Sequence, residues 1–240
     1  MSPLRSTVTL PAVVVGLATF LVVLIPGTGL PVAVVAGVIV ASTFARVVSG
    51  RAVGVVRRSL NARPALVGEF PRLHNTVGGL CLTHGIDIPE LFVIDSPAGN
   101  AAAMAGREGT SIVLTTGAAD RLGLVELEAL VAHLLVRCGD DGLRADTTKA
   151  SMGRLAGPRL VATANTGPDR LMQVDFDGAD LTRFPPGMQT ALQALAELGT
   201  EVDAPRATSG LWLLQPDGRT DVGTASHPTV EVRVAALGEC

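Results

Sequence analysis

Glu126-Leu127-Glu128-Ala129-Leu130-Val131-Ala132-His133-Leu134-Leu135-Val136-Arg137 is the stretch on which the reading of this chain turns. Its apolar residues recur at helical spacing, which predicts a helix over 123–137. His133 and Arg137 are four residues apart and share one face of that helix. A helix that reads H-E-x-x-H holds zinc between two His one turn apart and activates a water with the Glu. Here His133 occupies the first His position, Leu134 the Glu position and Arg137 the second His position. Leucine accepts no proton from water, and a guanidinium stays charged near neutral pH and repels a divalent cation. The stretch has the layout of a metal-binding helix without most of its donors.

The flanks bear on the same question. Upstream, in order, stand Pro71-Arg72-Leu73-His74, Val77-Gly78-Gly79-Leu80, His84-Gly85-Ile86-Asp87-Ile88-Pro89, Leu91-Phe92-Val93-Ile94-Asp95, Gly99-Asn100-Ala101-Ala102-Ala103-Met104-Ala105-Gly106 and Ile112-Val113-Leu114-Thr115-Thr116-Gly117. Downstream stand Val174-Asp175-Phe176-Asp177-Gly178-Ala179-Asp180-Leu181-Thr182-Arg183-Phe184-Pro185 and Ser226-His227-Pro228-Thr229-Val230-Glu231-Val232-Arg233-Val234-Ala235-Ala236-Leu237. This order, over residues 64–238, resembles the HtpX-like membrane zinc metallopeptidases, gluzincins related to the CAAX prenyl protease. Their pattern runs through a G-x-P turn, a short strand, N-A-F-A, V-x-x-T-x-G and E-L-x-x-V-x-A-H-E-x-x-H, then E-x-x-x-D and T-H-P-x-x-x-x-R.

The resemblance implies four zinc-site positions, and only His133 keeps the family residue. The third ligand, the Glu of E-x-x-x-D, falls at Leu171; its Asp persists as Asp175, which by resemblance orients the first His. The expected site is therefore vestigial: His133, Leu134, Arg137, Leu171 and Asp175, with no catalytic residue, no metal and no cofactor. In the family the strand 110–115 resembles a sheet edge that pairs with an extended peptide. Asn100, Leu114, Thr115, Thr116, His227 and Arg233 are accordingly the residues expected to line a groove. Alternatives stay open for each. His133 is a former ligand or a buried histidine bonded to Asp175. Arg137 pairs with Asp175, Asp177 or a backbone carbonyl, or is a solvated helix-end residue. His227 and Arg233 line the groove, or cap a helix and form a salt bridge. Asn100 fixes a turn through its side chain.

The chain has 240 residues, a net charge of −3, no Tyr and one Trp, Trp212, so it offers neither a basic face nor an aromatic platform for nucleic acid. No residue from Ser6 to Ala45 is charged. That run is about twice the ~20 residues that cross a bilayer, and Pro26-Gly27-Thr28-Gly29-Leu30-Pro31 interrupts it with turn residues. A transmembrane hairpin over 1–48, with helices at 7–25 and 30–48, follows; a cleaved leader is the competing reading. Arg5 precedes the first span and Arg46, Arg51, Arg57 and Arg58 follow the second, which predicts both ends, and the main domain, on the cytoplasmic side of the cell membrane. Residues 49–63 form a basic juxtamembrane connector suited to anionic lipid, or continue the second span. Cys81, Cys138 and Cys240 read as free thiols. Cys138, five residues past His133, lies off its face.

Residues 64–240 form the peptidase-like domain. Expected elements are a helix at 69–84 closed by Gly85, a strand at 90–95, a small-residue loop at 96–109, a strand at 110–115 and the helix 123–137. Beyond it come a polar loop at 138–149 holding Asp140, Asp141 and Asp146, and a helix at 150–164 broken at Gly157-Pro158. Helices follow at 168–182 and 187–198, then a Pro/Gly-rich segment anchored by Leu211-Trp212-Leu213-Leu214, and a last helix from about Pro228 capped by Ser226. His74 and His84 read as surface residues. The fold class is α+β, a membrane hairpin before a mostly helical gluzincin-like domain with a small sheet. The function expected first is a membrane-anchored pseudopeptidase that binds a protein partner or membrane complex through its groove. The others are a zinc endopeptidase with ligands rearranged to His227, Asp175 or Asp177, and an architectural subunit docked by its hairpin.

Overall fold

A run of 40 uncharged residues has nothing to present to water, and it folds as helices whose backbone groups satisfy one another. The computed structural model describes residues 3–25, 29–107, 109–161, 167–224 and 226–239. The apolar run forms α1 (Pro3–Leu24) and most of α2 (Leu30–Ser59). The expected turn lies partly outside the described residues, at 26–28; Pro31 sits in the first turn of α2, where its missing N–H costs no bond. α2 continues unbroken through residues 49–59 of the connector. Two glycines set the distance between the helices: a Cβ on Gly37 would lie 2.8 Å from the Gly16 carbonyl oxygen, and one on Gly16 would lie 2.9 Å from that of Gly37. Backbones approach this closely only over small residues. Val13, Leu17, Leu21, Val35, Val38 and Ile39 point outward and are exposed. α2 is long and apolar enough to cross a membrane, whereas the apolar part of α1, Pro11–Leu24, is shorter.

The remainder is mostly helical around a small mixed sheet: β1 (Arg63–Pro64), α3 (Pro71–His84), β2 (Glu90–Ile94), β3 (Ala101–Ala105), β4 (Thr110–Thr115), α4 (Thr116–Arg121), α5 (Leu124–Cys138), α6 (Asp141–Val161), α7 (Pro168–Thr182), α8 (Pro185–Glu197) and α9 (Val230–Leu237), with a 3-10 turn at Arg206–Leu211. The strand order is β1-β2-β4-β3, with β2 and β4 parallel and the other pairs antiparallel. α5 crosses the sheet and packs on α3, α7 and α8, so Leu127, Leu130, Val131, Leu134 and Leu135 are all buried.

Four expectations are corrected. Residues 101–105 of the expected loop form β3, whose alanines lack the bulk that marks a strand and instead let α5 and α6 lie close against it. β4 is not an edge, because β2 and β3 bond to both of its sides. The true edges are closed to pairing. β1 is two residues long and contains Pro64. On the outer side of β3, Leu213 N donates to Ala101 O at 2.8 Å, Trp212 bridges Ala102, and Ala105 N donates to Thr147 Oγ1 at 3.1 Å. Residues 141–149 belong to α6 rather than to a polar loop; Asp141 lies in its first turn, where the helix dipole favours a carboxylate, and the helix runs through Gly157-Pro158. Residues 162–164 of that expected helix are outside the described residues. α9 starts at Val230, and its cap is Thr229, whose Oγ1 accepts from Val232 N at 3.2 Å, not Ser226.

Candidate functional site

α5 and α7 meet where Gly178 faces His133. A Cβ on Gly178 would lie 2.9 Å from His133 Cα and 3.0 Å from its N, so only glycine allows the contact. This approach brings Asp175 of α7 onto His133: Oδ1 lies 2.9 Å from Nδ1, a short contact that is not aligned as a hydrogen bond. α9 supplies the stronger partner. Arg233 Nε donates to Asp175 Oδ2 at 2.7 Å and Nη2 to Oδ1 at 2.6 Å, a bidentate pair with both groups buried. Burial pushes the Asp175 carboxyl up, but Arg233 and His133 outweigh it and hold the group below the usual carboxylate range. Burial lowers His133, Asp175 opposes that, and the neighbouring arginines reinforce it. The imidazole is therefore held neutral beside an ionised carboxylate.

Arg137 lies one turn further along α5 and is 3% exposed. Nη1 donates to Asp140 Oδ2 at 2.6 Å, Nη2 donates to Gly210 O at 3.3 Å, and Nη2 stands 3.6 Å from Asp146 Oδ2. Asp140 also accepts from Gly142 N and Arg170 Nε. Of the partners expected for Arg137, the backbone carbonyl is present; the carboxylates are Asp140 and Asp146 rather than Asp175 or Asp177, and the side chain is not solvated. The expected solvated aspartates are instead its counter-ions: Asp140 stands in the turn directly after α5 and Asp146 near the start of α6.

Residues 210–214 run through the middle of this cluster. Arg137 takes the Gly210 carbonyl, His227 Nε2 takes that of Trp212 at 2.9 Å, and Arg233 Nη1 takes that of Leu213 at 2.7 Å. Since a carbonyl only accepts, His227 carries its proton on Nε2, and Nδ1 accepts from Ser226 Oγ at 2.9 Å. Burial drops His227 to about 4 despite its bond to Trp212. Asn100 Nδ2 donates to Thr200 O and Leu214 O, while its Oδ1 accepts from Ala101 N and Leu214 N. Its amide thus ties β3 to a segment more than a hundred residues away.

The other candidates take structural positions. Leu134, Leu171 and Leu114 are core residues. Thr115 caps α4 and donates to Ala98 O at 2.6 Å; Thr116, half-buried, bonds to both backbone groups of Ser96. The expected groove position is therefore corrected for Asn100, Leu114, Thr115, His227 and Arg233, all of which are buried. The donor set does not fit zinc: a guanidinium and two leucines stand at three of the four positions, and among the described residues no three His, Cys, Asp or Glu side chains converge as a metal site requires. The rearranged set does not meet either, since His227 is spent on Trp212 O and Ser226, Asp175 on Arg233, and Asp177 on Gln173 Nε2. Cys81 is buried, and burial pushes the half-buried Cys138 up to about 12. His74 Nε2 contacts Ala65 O and His84 is exposed; Cys240 lies outside the described residues. Sequence reasoning missed Asp140 and Asp146 as partners of Arg137, although the i,i+3 spacing of Arg137 and Asp140 was a usable signal. It had no signal for the carbonyls of 210–213.

Known proteins resemble the chain over most of its length. A protease HtpX homolog of Dictyoglomus thermophilum is 27% identical over 210 residues, 70% of this chain and 69% of its own. One from Ligilactobacillus salivarius is 24% identical over 88% of this chain and 85% of its own. One from Tropheryma whipplei is 35% identical over 36% of this chain and 30% of its own. No family model and no solved structure matches the chain. The chain that holds the α5–α7 site is thus similar to proteins named as HtpX protease homologs. At 27% and 24% identity over 70% and 88% of the chain, these relatives support an HtpX-like relationship.

Proposed function

We propose that this protein is a membrane-anchored, non-catalytic HtpX-like protein, a pseudopeptidase whose site is closed by its own chain. The single observation that carries this is the fate of the Arg137 position. A buried guanidinium, compensated by Asp140 and Asp146 and bonded to Gly210 O, stands where a metal ligand would be needed. The cation of the site is then the side chain itself. The segment 210–213 lies against β3 with three carbonyls held by Arg137, His227 and Arg233, so an extended partner has no edge strand to join. A protein partner therefore meets the molecule elsewhere. The exposed apolar faces of α1 and α2 favour the hairpin, in contact with the bilayer and a membrane protein, over a groove. On this reading both helices span the cell membrane and the domain is cytoplasmic, as the arginines in the C-terminal part of α2 and the uncharged turn predict.

The test is the metal content of the purified, detergent-solubilised protein by elemental mass spectrometry, together with its melting temperature with and without a chelator. Far less than one zinc per chain, and no shift with chelator, is expected. Near-stoichiometric zinc, lost together with stability on chelation, overturns the proposal and makes protease assays the next step.

A further inference from the structure

Away from the α5–α7 site, the C-terminal part of α2 borders a cavity of about 960 Å³. Two glycines of α2, Gly50 and Gly54, line it; a Cβ on Gly50 would touch nothing within 4 Å, and one on Gly54 would meet only Arg58 Nη2, at 3.9 Å. Around this bare patch stand Arg51, Arg57 and Arg58 of α2 and Arg107 between β3 and β4, against two carboxylates, Asp87 and Glu90. Two of the guanidiniums are fixed in place. Arg57 lies 4.7 Å from the centroid of the Phe92 ring, and Arg58 Nε donates to Gly54 O at 2.9 Å. Arg51 and Arg107 are exposed. The acids offset the arginines only in part, and Glu90 lies within 3.5 Å of the Ser111 hydroxyl. A concave site with excess guanidinium groups and neighbouring hydroxyls recognises a phosphate oxygen array, because planar forks match it bidentately.

We propose that this cavity binds the phosphate of an anionic phospholipid headgroup. The lipid source rests on the reading of α2 as a membrane span; the phosphate chemistry does not. About 20 residues counted from Leu30 bring the apolar span to near Ser49, and at ~1.5 Å per residue Arg51 and Arg58 lie about 3–14 Å beyond it. That is the depth of headgroups, where basic pockets beside membrane helices hold anionic lipids. Ile88, which is exposed and lines the same cavity, supplies an apolar contact toward the acyl region.

The experiment uses the full chain in detergent, with lipid retention read by native mass spectrometry and melting temperature read in parallel. The probes are phosphatidylglycerol, phosphatidylcholine and inorganic phosphate. The variants are Arg51→Gln/Arg107→Gln, and Arg219→Gln as an unrelated surface control. Phosphatidylglycerol is expected to bind one per chain, roughly tenfold or more tighter than phosphatidylcholine, and to lose that preference in the double variant alone. Inorganic phosphate binding as tightly as phosphatidylglycerol, with the same sensitivity to the double variant, keeps the phosphate site and overturns the lipid source. Equal binding of the two lipids, or binding indifferent to Arg51 and Arg107, overturns the proposal. Alkaline extraction of membranes tests the span separately: release of the chain into the supernatant ends the membrane reading, whatever the cavity binds.

Discussion

The helix pair α1–α2 and the α5–α7–α9 site invert each other. In α1 and α2, Val13, Leu17, Leu21, Val35 and Val38 face outward, and backbone meets backbone at Gly16 and Gly37. In the site the interior holds Arg137, His133, Asp175 and Arg233, each nearly inaccessible. One rule explains both. A buried group must have a partner of its own kind, and the outward valines of α1 and α2 stay largely uncovered among the described residues. The buried charges have theirs: Asp175 for Arg233, Asp140 and Asp146 for Arg137. Satisfaction of each group, rather than hydrophobicity alone, decides what is inside.

The comparison breaks first at the Arg233–Asp175 pair. Arg233→Ala leaves an ionised carboxylate buried beside His133, and a loss of about 3–5 kcal/mol is expected in denaturant unfolding. The joint replacement Asp175→Leu/Arg233→Met is expected to cost far less, since it removes both charges. Equal losses for the two would mean that the charges are not what matters. Acid is the next probe. His227 is held at about 4 in the folded protein, against an ordinary 6.5. Between those values the unfolded chain binds a proton that the folded chain does not. Stability is therefore fully present above about pH 6.5 and falls by up to ~3 kcal/mol as pH drops toward 4. His133, also lowered, acts in the same sense. His227→Asn should flatten that acid slope, and an unaltered slope would remove His227 as its source.

In α2, Ile39→Arg places a charge near the middle of the apolar stretch that begins at Leu30. If α2 spans a bilayer, insertion becomes less favourable by about 2.5–3.5 kcal/mol, seen as a smaller membrane-integrated fraction. An unchanged fraction would show that α2 does not span. The smallest effect sharpens the geometry rather than the charge. Gly178→Ala drives a methyl into the His133 backbone, and a loss of about 1–3 kcal/mol in thermal unfolding is expected. A neutral result would mean that α5 and α7 separate without cost.

What the sequence disclosed and what it hid divide along physical lines. The ends of α3, α5, α7 and α8 fall within a few residues of the positions predicted from Pro71, Gly85, His133 and Pro185, because turn residues and apolar periodicity act locally. The link between His133 and Asp175 followed from the order of motifs. β3 was hidden because Ala101–Ala105 has no β-branched residue to mark a strand. The interior place of β4 was hidden because strand order is a property of the whole sheet. Asp140 and Asp146 looked like turn residues, since nothing local says that the turn after α5 and the start of α6 will bring both carboxylates to Arg137.

The carbonyls of Gly210, Trp212 and Leu213 have one more consequence. On the proposed reading, an engineer who introduced two ligands by Arg137→His and Leu171→Glu and a base by Leu134→Glu would supply the missing side chains and still not have an open cleft. Trp212 and Leu213 would still be bonded to β3, and His227 and Arg233 would still grip the Trp212 and Leu213 carbonyls. On the proposed reading the molecule is locked twice, once in its side chains and once in its own backbone, and repair of the first lock leaves the second shut.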